Sequence, residues 1–294
     1  METSKGAMIG LVLACFFWGL NSTVSKLITF DIPVLYYASV RFLLGGLLLA
    51  FLFRKHLKQI RMDMVRKAVL SAGFLFGGFI LETYALSYTT PLKIGFVVSF
   101  ETIFIPIIFC LVSRAKLKKL EVLSILMAFI GLLIFNFNGI SFDLNIGDYM
   151  AFSASLLYAS YVVYISRISE GMDEKNFCVV QTILVSVFAG VSCLFSAENI
   201  SGIHYDFRLI VPILISGLLC SGLAFYWQIS AQKKVNPVQV GIILSIAPIF
   251  NAITARIVFN EQITALAVVG GVLIVLALNM NPLSELVKRM RKVD

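Results

Sequence analysis

The chain has 294 residues, 59% hydrophobic and 14% charged, with a mean hydropathy of +0.94. Soluble chains average about 45–50% apolar and about 25% charged residues, so a soluble fold, intrinsic disorder and a disulfide scaffold are excluded. The net charge of +8 reads as topogenic charge at a membrane face, with no call for a nucleic-acid partner, because the charges sit in short loops.

A transmembrane helix needs about 20 apolar residues. Ten such runs follow in chain order, at 7–28, 34–53, 68–89, 91–112, 121–138, 148–166, 177–196, 209–232, 238–259 and 263–281. The runs are continuous, whereas barrel strands would alternate, so helices are expected. The first run follows Lys5 with no A-x-A cleavage pattern and is read as a retained span. With the N-terminus in the cytoplasm, 19 of the 24 basic residues fall on the inner side, from Lys5 through the loops to Lys288, Arg289, Arg291 and Lys292. The outer segments Asn138–Gly147 and Asn260–Thr264 hold no Lys or Arg. Both termini are therefore expected inside. The basic tail Glu285–Asp294 is expected to lie on the inner membrane surface, drawn to anionic lipid. Cys15, Cys110, Cys178, Cys193 and Cys220 lie within apolar runs without CxxC spacing and read as packing residues, with no metal site. His56 and His204 fall in loops and read as solvated.

Shifting the chain by 146 residues aligns Phe79–Leu132 with Phe225–Leu278, giving twelve identities over 54 positions. The sharpest part is Pro91-xxx-Gly95-xxx-Ser99 against Pro237-xxx-Gly241-xxx-Ser245. Proline suits the first turn of a helix, and Gly and Ser four apart let backbones approach closely. The repeat divides the chain into 1–140, 141–284 and the tail 285–294. Five spans per half make the second copy enter the membrane upside down: the inner loop Ser113–Leu120 is basic, whereas its counterpart Phe259–Leu266 carries Glu261. Inverted repeats are typical of secondary transporters, with a substrate site near the midplane between the halves.

Phe17-Trp18-Gly19-Leu20-Asn21, Arg41 in the second span, the Pro-xxx-Gly motifs opening spans four and nine, and Asn260-Glu261 together resemble the EamA family of the drug/metabolite transporter superfamily. The resemblance covers essentially the whole chain. It implies an all-α integral membrane protein, with ten transmembrane helices as a five-plus-five inverted-topology repeat around a central cavity. It also implies traffic in small organic metabolites, with the cavity formed mainly by spans 1, 3, 4, 6, 8 and 9. Ala115 stands where the first half often has an acid, and Ala247-Pro248 where many members have Glu-Pro, while the first half has Glu101-Thr102.

Ionisable groups at membrane depth mark functional sites by default. Glu101, about ten residues into span four, is the leading candidate; a carboxylate there can bind an ammonium group or exchange a proton, which leaves proton coupling open. Glu82 and Gln228 are repeat equivalents. Arg41 is expected to pair with Glu82 or snorkel outward, and Lys26, Lys93 and Arg256 to snorkel. Aromatic faces attract cations, which adds Trp18, Tyr84, Tyr158, Tyr161, Phe225 and Trp227, with Asn21 and Asn251 as polar companions. Pro248 can kink span nine into a gate.

No P-loop, HExxH or GxSxG pattern occurs, so neither ATP-driven pumping nor hydrolytic catalysis is expected. The reading is a secondary transporter of zwitterionic or cationic metabolites by alternating access, without a cofactor and not an enzyme. It would act as a monomer or homodimer in the lipid bilayer of a bacterial or archaeal inner membrane. The alternatives are a non-transporting scaffold or accessory subunit, and, more remotely, an intramembrane lipid-modifying enzyme.

Overall fold

The computed structural model describes residues 2–28, 31–57, 60–85, 87–89, 91–136, 144–196, 198, 200, 202–260 and 262–290, with side chains undescribed at 2–5, 91–92 and 281–290. Lys58, Glu261, Arg291, Lys292 and most of the outer segment after span five lie outside these residues.

Among the described residues thirteen α-helices and one π-helical stretch build the membrane spans. They are α1 (Glu2–Ile28), α2 (Val34–Leu52), α3 (Met62–Ala85), α4 (Pro91–Val98), α5 (Glu101–Ser113), α6 (Lys119–Asn136), α7 (Ile146–Ile168) and α8 (Glu174–Phe195). There follow α9 (Phe207–Leu214), the π-helix Ile215–Leu223, α10 (Ala224–Gln232), α11 (Pro237–Leu244), α12 (Ala247–Phe259) and α13 (Ala265–Met290). Among the described residues nine segments are long and apolar enough to cross a bilayer, and Ala265–Met280 is a shorter apolar helix in the tenth place.

Helix ends fall where side chains can satisfy the free backbone N–H groups. Asn145 and Asp148 form a reciprocal capping box on α7. Asp173, Asp206 and Asn236 cap α8, α9 and α11, and Pro237 occupies the first turn of α11. The third span begins at Met62 and ends at Ala85, six residues earlier and four earlier than the apolar run suggests. Its first turn, Met62-Asp63-Met64-Val65, carries one acid, and helical hydrogen bonding begins there before the continuous apolar run. The last helix runs on to Met290, so most of the expected surface tail continues α13.

Spans four and nine are each two half-helices. α4 and α5 recur, 146 residues on, as α11 and α12 with identical lengths. Even the terminations agree: Arg114 after α5 and Asn260 after α12 are, among the described residues, the two non-glycine residues with positive φ, at 52° and 56°. At the breaks, Ser99 Oγ donates to Phe96 O at 2.5 Å and Ser245 Oγ to Ile242 O at 2.6 Å. Each serine thus occupies a carbonyl that the interrupted helix leaves without an amide partner.

Packing follows the same exchange of halves. The most extensive contacts join α6 to α13 and α2 to α8, helices that are each other's repeat counterparts. Gly131 and Gly270 bring α6 and α13 together so closely that a Cβ at Gly131 would lie 2.9 Å from Gly270 O. α3 packs on α7 as α1 packs on the eighth span, and α5 on α7 as α12 on α1. The correspondence fails most at the broken spans. At the end of the bundle that holds both termini, α11 packs on α5, with Ile105 against Gly241. At the opposite end, α4 and α12 make no comparable contact.

Candidate substrate site

The break in span four places Glu101 in the first turn of α5, in the middle of the bundle. A carboxylate is favoured there by the helix dipole. Among the described residues its side chain has no hydrogen-bond or ion-pair partner, and it is half-buried. Glu82, on α3, accepts a hydrogen bond from Tyr158 OH of α7 at 2.6 Å. Glu101 lies within electrostatic range of this hydrogen-bonded pair. Two carboxylates and a phenol from spans three, four and six thus form one cluster.

The other half presents a different chemistry at the corresponding places. Gln228 replaces Glu82; it is 2% exposed, and among the described residues its Oε1 has no hydrogen-bond partner. Ala247 replaces Glu101. Trp18 stands 140 residues before Tyr158, the offset that also relates Arg41 to Gln181. Its Nε1 donates to Cys220 O at 3.2 Å, and Cys220 Sγ donates to Phe17 O at 3.1 Å. Cys220 lies in the π-helix, whose wider turn changes the carbonyl geometry from that of an α-helix.

The remaining candidates divide between the middle of the bundle and its packing seams. Phe225 is buried against Trp18, Phe42 and Tyr161, at ring separations of 5.3, 5.9 and 6.3 Å. Tyr161 is buried, its hydroxyl accepting from Gln181 Nε2 at 3.2 Å, and Ser71 donates to Gln181. Trp227 stacks on Phe17 at 5.5 Å and faces α1. Tyr84 engages Glu198 near the end opposite the termini. Asn21 accepts from Ser216 Oγ at 2.6 Å, within a polar chain that continues through Tyr37 OH to Ser25. Asn251 accepts from Thr23 Oγ1 at 3.3 Å, beside the 2.6 Å Thr23–Thr254 contact. Gly19 makes this seam possible, since a Cβ there would sit 2.7 Å from Asn251 N.

Several expectations for charged and polar groups are corrected. Arg41 neither snorkels nor forms an ion pair with Glu82. It is 3% exposed, its Nε donates to Ser221 Oγ at 2.8 Å, and its guanidinium lies 5.1–5.6 Å from the ring centroids of Tyr37, Phe42 and Phe79. Lys93 does not snorkel either. It is buried in a 2.7 Å salt bridge with Asp148, the acid of the α7 capping box. Sequence gives depth along a helix but not which neighbour faces inward, and a buried charge goes to a partner where one is available. Lys26 does sit at a helix end, 4.7 Å over the Phe259 ring, and Arg256 donates to Asn260 O at 3.2 Å. His56 is half-buried, with its carbonyl accepting from Asn176 Nδ2 at 2.9 Å and its Nε2 3.4 Å from Lys175 Nζ. The sequence gives no sign of the contacts that Ser216, Cys220 and Ser221 make with α1 and α2, because nothing in their apolar surroundings signals the π-helical geometry. Among the described residues no group of three His, Cys, Asp or Glu side chains converges to hold a metal.

Comparison with known proteins agrees with this architecture. The model of the EamA-like transporter family matches residues 5–137 and 145–281. An "Uncharacterized transporter" of Archaeoglobus fulgidus is 25% identical over 272 residues, covering 92% of this chain and 84% of that protein. An "Uncharacterized transporter in sor 3'region" of Acidianus ambivalens is 30% identical over 217 residues, covering 70% of this chain and 78% of its own. A solved structure described as "Crystal structure of protein" superposes with a TM-score of 0.82 at 16% identity, covering 93% of this chain and 97% of that one. The chain is a multi-pass membrane protein and belongs to the EamA-like transporter family.

Proposed function

We propose that this protein is a secondary transporter of small zwitterionic or cationic organic metabolites, held in the middle of the bundle at Glu101. The observation that carries this reading is a carboxylate at a helix break in the middle of the bundle, without a partner among the described residues. Ionisable groups inside a membrane are costly and mark pathways, and half-helix ends at the midplane serve ligand and ion sites. Glu82 with Tyr158, Gln228, Trp18 and Phe225 furnish the surrounding polar and aromatic groups; Tyr161, Trp227, Tyr84, Asn21 and Asn251 support or line the approaches.

The unequal packing of the broken spans supports alternating access. Closure of α11 on α5 at one end, with α4 and α12 apart at the other, is the arrangement of one access state, and exchange of the two packings gives the other. In this reading both termini face the cytoplasm of a bacterial or archaeal cell, so the site opens outward. No cofactor takes part; Glu101 exchanges a proton when it is not bound to substrate. The test is a thermal-stability screen of purified protein against cations, zwitterions, anions and neutral metabolites, since a ligand of the folded state raises its stability by mass action. Hits among amines or amino acids, and their loss in Glu101→Gln, are expected. Hits confined to anions or sugars, or full transport by Glu101→Gln in liposomes, would sink the reading.

A further inference from the structure

Arg41 poses a problem that packing alone does not solve. A guanidinium has five N–H donors and no acceptor, and a buried charge is ordinarily paired. Here one donor, Nε, is spent on the neutral hydroxyl of Ser221. Among the described residues the ion pairs are Lys67–Asp63, Lys93–Asp148 and Lys233–Glu174, and none includes Arg41. Among the described residues the other four N–H bonds of this residue, 3% exposed, have no protein acceptor.

The surroundings hold this cation in place without neutralising it. Tyr37 and Phe42 on its own helix and Phe79 on α3 present their rings to the guanidinium carbon. Such contacts are attractive for a flat cation. Ser221 fixes the Nε edge from the eighth span. These are positioning residues: they orient a planar fork whose geometry matches a carboxylate in a bidentate pair. The fork lies beside the acids: it stacks 5.2 Å over the ring of Phe79, which precedes Glu82 by three residues on the same face of α3. Glu82 already accepts the Tyr158 hydroxyl and stands beyond ion-pair distance of Arg41.

We infer that Arg41 is the specificity-determining residue for the carboxylate of an amino-acid substrate whose ammonium group Glu101 receives. This rests on the proposed site at Glu101 and narrows it: a zwitterion is held at both ends, and a simple amine at one. Hydrogen bonds to a charged partner carry enough energy for roughly a 10- to 100-fold preference.

The test compares each of the twenty amino acids with its methyl ester and its decarboxylated amine, as binding to the purified full-length protein. The ester and amine keep the ammonium and lose the carboxylate charge. At least one amino acid is expected to bind, with its ester and amine about tenfold weaker or more. Equal binding of amino acid, ester and amine, or binding of amines with no amino acid bound, would overturn the role of Arg41 while leaving the Glu101 site standing. Arg41→Gln and Arg41→Lys are expected to bring the amino acid-to-ester ratio close to one. Glu101→Gln is expected to weaken both ligands together and keep the ratio. If Glu101→Gln changes neither while the Arg41 variants collapse the ratio, the Glu101 reading fails and the Arg41 assignment survives. Should the Arg41 variants fail to fold, Ser221→Ala decides: it frees the Nε edge and is expected to lower the ratio several-fold, and an unchanged ratio counts against the inference.

Discussion

The breaks in spans four and nine are nearly the same object seen twice. Both pair an eight-residue half-helix with one of thirteen, place a serine on the freed carbonyl, and end in a left-handed residue. Yet one opens its second half-helix with Glu101 and the other with Ala247-Pro248. Proline is therefore not what breaks these helices, since Thr102 stands at the corresponding place in span four. The shared features are the serine cap and the residues before it. Backbone shape is common to the two halves, and chemistry is confined to one.

The largest test of that division is Glu101→Gln, expected to lower substrate affinity and transport about 100-fold, from the loss of a charged hydrogen-bonding partner. Ser245→Ala, at the break that lacks an acid, should leave affinity within a few-fold, as a liposome uptake assay would show. A comparable loss from both would mean that the breaks are functionally equal.

Next in size is Gly19→Ala. Its added carbon would press on Asn251 N at 2.7 Å and Ala247 O at 2.8 Å, whereas Ala159, at the corresponding place on α7, already has a Cβ. Overpacking of this kind costs about 1–3 kcal/mol, visible as a lower unfolding temperature in detergent. An unchanged temperature would show that the α1–α12 seam yields as readily as the α5–α7 seam.

Tyr158→Phe removes the 2.6 Å bond to Glu82 and is expected to weaken binding about tenfold, equivalent to about 1.4 kcal/mol. Trp18→Phe removes an indole bond to a backbone carbonyl instead. It should lower thermal stability by about 1 kcal/mol with less effect on affinity. The smallest effect is expected for Ser99→Ala and Ser245→Ala on stability, each losing one capping bond of about 0.5–1.5 kcal/mol. Equal shifts in a melting experiment would match the structural likeness of the two breaks.

The spans were legible because apolar runs of sufficient length have few other fates in a chain this hydrophobic. The repeat was legible because twelve identities fall in a gapless frame. Pro248 reads as a kink in span nine, but the equal break in span four has Thr102 at that place, and its own Pro106 lies farther into α5. Its signal was the identity of Ser99 with Ser245, once either break is known. Glu101 and Glu82 were legible as acids at membrane depth, and their placement beside Tyr158 needed the structure. Arg41 and Lys93 are visible as charges, but their burial against Ser221 and Asp148 instead of snorkelling is not. Rotation of one helix against another decides whether a long side chain meets lipid, an acid or a ring, and a single sequence does not contain that angle. The π-helix of span eight is the least legible feature, because Ile215–Leu223 differs little in composition from the α-helices around it.

The contacts of α6 with α13 and of α2 with α8 have a further meaning. A contact between an element and its own counterpart lies on the axis that exchanges the two halves. Such a face is built like the self-complementary interface of a twofold dimer, here with Gly131 and Ala128 on one side and Gly270 and Ala277 on the other. Two separate five-helix chains would hold the same shape, but every residue would then occur twice, and an acid at one break would oblige an acid at the other. Joining the halves into one polypeptide lifts that obligation. It allows a pocket with unlike ends inside a frame with like ones, so that a molecule with a distinct head and tail is held in one orientation.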